Sequence, residues 1–363
     1  MQSNFLDQLP AMQFDHPWLS DDFAKVSREQ AAGSNSRDHH YVPFFYLKRW
    51  AVEMEVQPVV IDSATSEKPK SPRQVGYLRH FYSLPKTDET MDLPLKWVEK
   101  HLSRIENPCA ERLRQLGQIK TGKTMDARLK RDLSVFLGLQ RTRTPSHREY
   151  SMAIIKGPLS AKQKLVKRMN PTLTGPALAA AMRPNYADDR LEAFHLMFSD
   201  VRNVIGKALF QRRWAVYETA TPIITCDDPV IALAGPPFTR SSFVGFQKSA
   251  AVVYPLDPFH ILVMLRADLK HRGPFELDEE EAASINLEIA AAATKTTFER
   301  VGDNIAKNFD IPIREIAKEI SEDDFANLDH DESIRIILNQ GTPRSRWASS
   351  AQAPDWPVPR WYK

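Results

Sequence analysis

The stretch Trp214-Ala-Val-Tyr-Glu218, Pro222-Ile-Ile-Thr-Cys-Asp-Asp-Pro-Val-Ile-Ala-Leu233, Ala250-Ala-Val-Val-Tyr254 and His260-Ile-Leu-Val-Met-Leu-Arg266 sets runs rich in Val, Ile and Tyr between Gly, Pro and Asp. Branched and aromatic side chains bounded by turn formers read as strands. Upstream the period changes. Leu95 to Leu116, Asp126 to Arg143 and Ala187 to Gln211 carry apolar residues at three- and four-residue spacing, which reads as helix. Farther upstream, Val56 to Asp62 is a β-branched run followed by the basic, proline-bearing loop Lys68 to Arg73, so a small sheet starts there. His39 to Trp50 reads as an extended entry into a short helix with Pro43 at its first position. Downstream, the acids Asp278 to Glu281 suit a helix N-terminus; helix is expected to about Thr297, with more from Asp303 to Glu319. The order of strand, long helical block, strands and helix argues an α+β protein. A mostly helical middle, about 95–211, packs against a mixed or antiparallel β-sheet built from N-terminal and C-terminal strands.

Composition narrows the function classes. The chain has 363 residues, 42% hydrophobic and 26% charged, which suffices for a substantial core and excludes wholesale disorder. No apolar run approaches the roughly 20 residues that span a bilayer, and Met1 to Pro17 lacks a secretory core, so a cytoplasmic protein without a membrane partner is expected. Two cysteines, Cys109 and Cys226, cannot supply a thiolate-rich zinc site or a disulfide framework, in keeping with a reducing compartment. The 13 glycines include no G-x-G pair, which excludes a dinucleotide-binding turn. Three parts are expected: a flexible N-terminal arm (1–36), one α+β domain (37–340) and a Pro/Trp-rich tail (341–363). The tail holds Trp347, Trp356 and Trp361, too much apolar surface to leave in water, so it docks on its own body or joins protomers into a homo-oligomer.

The net charge of +3 hides a division: Arg112 to Arg183 holds 16 Lys/Arg and 3 acids, and Glu276 to Ser333 holds 5 Lys/Arg and 17 acids. Either the two regions neutralise each other, the reading slightly preferred here, or the basic middle meets an anionic partner such as nucleic acid or a nucleotide.

Among the motifs, Gly117 to Thr124 satisfies G-x-x-x-x-G-K-[ST] letter for letter, but helix rather than a buried strand precedes it, so a linker between helices explains the letters. The apolar stripe Leu129, Leu133, Phe136, Leu137 of the second long helix runs into Gln140, Arg141 and Thr144, with Arg143 and Arg148 around the helix-ending Pro145. Desolvated guanidinium and amide groups there either stitch the fold or line an oxyanion site. The seam Leu191, His195, Phe198, Arg202, Ile205, Leu209 places one His and one Arg among apolar neighbours. Glu99 and Glu106 stand seven apart on one helix. Asp227-Asp228-Pro229 breaks the strand Pro222 to Leu233, and an acid at an interior strand end suits a metal ligand, a general base or a turn. Asp268 and Lys270 match the second half of a restriction-type nuclease motif, a very unspecific pattern.

The run His39-His40-Tyr41-Val42-Pro43-Phe44-Phe45-Tyr46-Leu47-Lys48-Arg49-Trp50 resembles the opening signature of the largely bacterial family called domain of unknown function 4238. Gln140 to Pro145 is similar to its Arg-Thr-Pro helix end, Ile224 to Val230 to its Thr-Ser-Asp-Asn-Pro-Val strand, and Tyr254 to Pro258 to its Pro-Leu segment; Cys226 and Asp228 depart from that pattern. The resemblance covers about Asp38 to Arg300 and implies His40, Gln140, Arg143, Asp227 and Asn286 as the matching polar residues, with no established activity.

Two main functions remain. In the first, an uncharacterised hydrolase cleaves a phosphodiester of nucleic acid or nucleotide: His40 is the base, and Asp227 orients it or holds Mg or Mn, with Glu106 a second candidate ligand. Gln140 completes the catalytic set, while Arg141, Arg143, Arg202, His195 and Asn286 bind substrate. In the second, the same groups form a buried network in a non-catalytic module that recognises an anionic partner. A structural oligomer subunit is the third reading.

Overall fold

The computed structural model describes residues 14–31, 37–119, 125–157, 163, 166, 167, 170–242, 244–314, 328, 329 and 345–363. In chain order come α1 (Asp21–Ala31), β1 (Asp38–His40), α2 (Phe44–Leu47), β2 (Val56–Val60), β3 (Thr65–Ser66) and β4 (Tyr77–Arg79). The helical block follows as α3 (Trp97–Gly117), α4 (Ala127–Thr142), α5 (Pro145–Lys156), α6 (Gly175–Ala181) and α7 (Asp189–Asp200), which a π-turn over Val201–Ile205 joins to α8 (Gly206–Phe210). Then come β5 (Arg213–Thr219), β6 (Thr225–Cys226), β7 (Ile231–Leu233), β8 (Ala251–Asp257), β9 (His260–Leu265), β10 (Glu276–Leu277), α9 (Glu279–Ala292) and β11 (Thr296–Arg300).

The architecture is α+β, with the strands divided among three sheets. A five-stranded sheet has the order β10-β5-β9-β8-β7, antiparallel except for the β10–β5 pair. A four-stranded antiparallel sheet, β3-β2-β11-β6, joins N-terminal to C-terminal strands, with Thr296 opposite Val60 and Arg300 opposite Val56. The third is the ribbon β1–β4, in which His40 faces Tyr77. The run Pro222 to Leu233 is therefore not one strand: Asp227-Asp228-Pro229 carries the chain from the four-stranded sheet at β6 to the five-stranded sheet at β7.

Burial on both faces explains why the central strands show no polar alternation. On one face Trp214, Val216, Val252, Tyr254, Leu262 and Met264 pack in a core with Leu102, Ile105, Leu133 and Phe136 of the helical block. On the other, Ala215, Tyr217, Val253, Ile261 and Val263 share a core with Ile285 and Ile289 of α9 and with Trp347 and Trp361. The tail thus docks on its own body: Trp361 is fully buried with its ring 5.5 Å from that of Tyr217, and Arg346 is held by Ala293 O, Thr294 O and Asp62.

Four expectations change. Residues 14–31, assigned to a flexible arm, carry α1, and the segment packs on the helical block through Phe14, whose N–H donates to Arg202 O, and through Ser27, which bonds His101 of α3. The seam Leu191 to Leu209 does not hold: Leu191, Phe194, Met197 and Val201 are buried and His195, Phe198 and Arg202 are left half-buried, and from Val201 on the π-turn adds a residue to one helical turn. Helix α9 stops at Ala292, and the β-branched Thr296-Thr297-Phe298 pairs with β2 as β11. Within Asp303 to Arg314 only Ala306–Asn308 is helical, a 3-10 turn; residues 315–319 of that expected helix lie outside the described residues.

Replacing Trp361 with Ala should lower stability by about 3–5 kcal/mol, the usual effect of emptying a large buried ring site. Urea unfolding measures it, and a loss under about 1 kcal/mol would show that the docked tail adds little to this core.

Candidate functional site

The centre of the site is the corner between α4 and α5. The apolar stripe of α4 runs into Gln140 and Arg143, 1% and 2% exposed. Pro145 cannot continue the helix but fits the first position of the next one, and the Thr144 hydroxyl caps α5 by accepting from His147 N. Gln140 Nε2 and Arg143 Nε both donate to the carbonyl of Tyr41, at 2.9 and 3.0 Å. Arg143 Nη1 reaches Glu106 Oε1 of α3 at 2.5 Å, and the Tyr82 hydroxyl donates to Arg143 O at 2.9 Å. Helix corner, α3 and the segment after β1 are thereby tied through one guanidinium.

Two titratable groups feel the charges of that ion pair. His40 is half-buried at the end of β1, and because Arg73 O can only accept, His40 Nε2 must donate to it (3.2 Å). In the neutral ring the lone pair therefore sits on Nδ1. Burial holds the His40 imidazole below the usual histidine value, with Glu106 pulling the other way and Arg143 reinforcing the shift. Glu99, two helical turns before Glu106 on α3, is pushed up to about 7 by burial and then by the charge of Glu106, against the pull of Arg143. An imidazole whose proton affinity is lowered and a carboxyl whose proton affinity is raised are groups whose environments move them in opposite directions.

Asp227 does not join them. Its Oδ1 accepts from Thr294 N (2.7 Å) and its Oδ2 from Lys295 N (2.8 Å) and Thr296 N (3.0 Å), while burial pushes the carboxyl up to about 6 against these amides. The expected contact with His40 is absent because this carboxylate staples the crossover after β6 to the turn before β11. Asn286 is likewise structural: its Oδ1 accepts from Ile224 N and its Nδ2 donates to Pro222 O. Arg141 turns away from Arg143 to Asp228, whose Oδ2 takes Arg141 Nη1 (2.6 Å) and the Ser146 hydroxyl (2.9 Å). His195, whose ring lies 6.0 Å from that of Tyr186, and Arg202 stay on α7 and the π-turn.

No group of three or more His, Cys, Asp or Glu suited to a metal ion occurs among the described residues, and Glu106 is engaged with Arg143. Gly117 closes α3, and the rest of the phosphate-loop pattern, residues 120–124, lies outside the described residues. Asp268 makes a two-pronged, exposed pair with Arg266 at 2.6 and 2.9 Å. The preferred pairing of basic middle with acidic end is not what the described ion pairs do: Arg141 and Arg143 go to Asp228 and Glu106, while Glu281 and Glu288 go to Arg360 and Arg240. Glu99 and Tyr82 were not among the expected site residues. The seven-residue interval to Glu106 was the signal for Glu99, and Tyr82 had none, since only the fold brings it to Arg143.

These features define a class: a two-faced α+β domain in which a buried arginine at a proline-ended helix corner grips a histidine-bearing segment by its backbone and pairs with a glutamate of α3. The chain belongs to the family described as protein of unknown function DUF4238, whose model matches residues 38–303, a span that holds His40, Glu99, Glu106, the helix corner and Asp227. No curated protein and no solved structure matches the chain.

Changing Asp227 to Ala leaves three backbone N–H groups without an acceptor and should cost about 3 kcal/mol or more of unfolding free energy. Chemical denaturation tests this; a variant as stable as the parent would remove the staple and return Asp227 to the pool of free acids.

Proposed function

We propose that the chain is a hydrolase of phosphodiesters, in nucleic acid or a nucleotide, with His40 as general base and Glu99 as general acid. What supports the reading is that the charges of the Arg143–Glu106 pair act on both an imidazole left with a free Nδ1, its proton affinity lowered by burial, and a carboxyl raised to about 7. His40 Nδ1 takes a proton from water, the water oxygen attacks phosphorus, and Glu99 gives its proton to the leaving oxygen as the ester bond breaks. Arg143 holds Glu106 and Tyr41 O, so its role is to position the two groups around it. The exposed Arg37 and Arg73, beside the ribbon that carries His40, supply a positive approach for a phosphate, while Arg79 lies 3.6 Å from Asp38 on the ribbon itself. A second reading, a non-catalytic module for an anionic partner, is favoured by the burial of Gln140 and Asp227 in structural bonds.

Incubating the full chain with RNA, DNA, nucleotides and bis(p-nitrophenyl) phosphate, with and without Mg²⁺ or Mn²⁺, separates the two. The rate should rise with pH as His40 loses its proton, below the usual histidine range, and fall above about 7 as Glu99 loses its own. His40→Gln and Glu99→Gln should each slow turnover by about 10²–10⁴-fold with unchanged melting. Retention of nucleic acid without cleavage would establish the module instead, and full activity in either folded variant would remove that residue from the chemistry.

A further inference from the structure

Arg141 borders a cavity of about 550 Å³, within the range of roughly 300–1,000 Å³ usual for small-molecule sites. Its walls are mainly apolar, with Ile154 and Ile155 from α5, Leu196 from α7, Val204 from the π-turn, Ala232 from β7, and Phe246. Three arginines border it: Arg183 is exposed, while Arg141 and Arg240 stand deeper in the walls, and neither of these two has its N–H groups used up among the described residues. Arg141 gives Nη1 to Asp228 and lies 5.7 Å from the centre of the Phe246 ring. Arg240 lies 3.9 Å over Trp356, gives Nε to Pro354 O and Nη2 to Asp355 O and Glu288, and keeps Nη1 buried without a partner.

Two of the four acids in the same walls, Glu288 and Glu192, are engaged, while Asp200 and the exposed Asp189 stand apart from the two guanidinium groups' hydrogen bonds. Glu288 takes Arg240, Glu192 accepts from the backbone and side-chain amides of Asn185, and Asp200 lies 3.4 Å from His147 Nε2; Asp189 is exposed. An apolar enclosure with surplus guanidinium donors at its polar wall suits a molecule with a hydrocarbon body and an anionic acceptor at one end.

We propose that this cavity binds an amphipathic monocarboxylate, its chain against Ile154, Leu196 and Ala232 and its carboxylate on Arg240 and Arg141. The site is separate from the His40 group and does not rest on the hydrolase reading. Calorimetric titration of the full chain with decanoate, decanol and decyltrimethylammonium tests it. Decanoate should bind, decanol should bind at least about tenfold more weakly because it offers the guanidinium no anion, and the ammonium should not bind. Ala232→Phe should abolish decanoate binding, and Ile154→Trp is a second filling variant should the first not fold. Absence of decanoate binding, equal affinity for decanoate and decanol, or undiminished binding in a folded filling variant would overturn the proposal.

Discussion

A buried guanidinium has to be bonded, and much of the helical half follows from where Arg143 finds its partners. Taking a charge out of water is expensive by several kcal/mol unless a counter-charge and hydrogen bonds replace the lost hydration. Arg143 obtains the counter-charge from Glu106 on α3 and a carbonyl from Tyr41, beside β1. Neither partner is near in sequence, so satisfying one side chain fixes three separate segments at once. The Tyr41 carbonyl also accepts from Gln140, and the Arg143 carbonyl accepts from Tyr82, so the corner is held through backbone and side chain together. Removing any member would leave the others buried with unmet bonds, which is why such a network specifies a geometry more sharply than apolar packing does.

The architecture was largely legible because periodicity reports burial directly. The Val- and Ile-rich runs became β5, β8 and β9, and the three- and four-residue spacings became α3 and α4, with Asp126 capping α4 as its side chain suggests. What the letters did not show was partnership. The run Pro222 to Leu233 looks continuous, yet its halves belong to different sheets; only the positions of β11 and β8 decide that. The π-turn after α7 was hidden for a similar reason, since 201–205 contains no residue that forbids ordinary helix, and the shift shows only in which side chains end up buried. Likewise His40, Gln140, Arg143 and Glu106 could be picked out by type and position, while the separation of Asp227 from His40 could not. A carboxylate bound by three amides and one free to act are the same letter.

The adjacent acids Asp227 and Asp228 show how one position in the chain decides a side chain's use. Asp227 points to the turn before β11, where the amides of Thr294, Lys295 and Thr296 converge on it. Asp228, one residue on, faces the helical side and takes Arg141 and Ser146. Together they lock the crossover between sheets to the turn before β11 on one side and to the α4–α5 corner on the other. Proline at 229 removes a backbone donor at the point where the chain leaves one ladder and has not yet entered the next, so no sheet bond is lost.

This division has a chemical consequence. Acids and bases whose bonds are complete contribute to stability and have little left for a substrate, because any new contact must first break an old one. By that criterion Asp227 and Asn286 belong to the scaffold, and so does most of Arg143. Some unpartnered atoms sit inside the network, Gln140 Oε1, Arg143 Nη2 and Asp228 Oδ1 among them; the spare groups at its edges are Nδ1 of His40, the carboxyl of Glu99, and the unshared guanidinium N–H groups of Arg141 and Arg240. Those of the edges belong to different parts of the fold: His40 to the β1–β4 ribbon, Glu99 to α3, and Arg141 and Arg240 to the apolar cavity. Arg141 and Arg143 stand two residues apart at the same helix end and serve different sides of it. The corner that Pro145 enforces thus positions two chemically unlike surfaces.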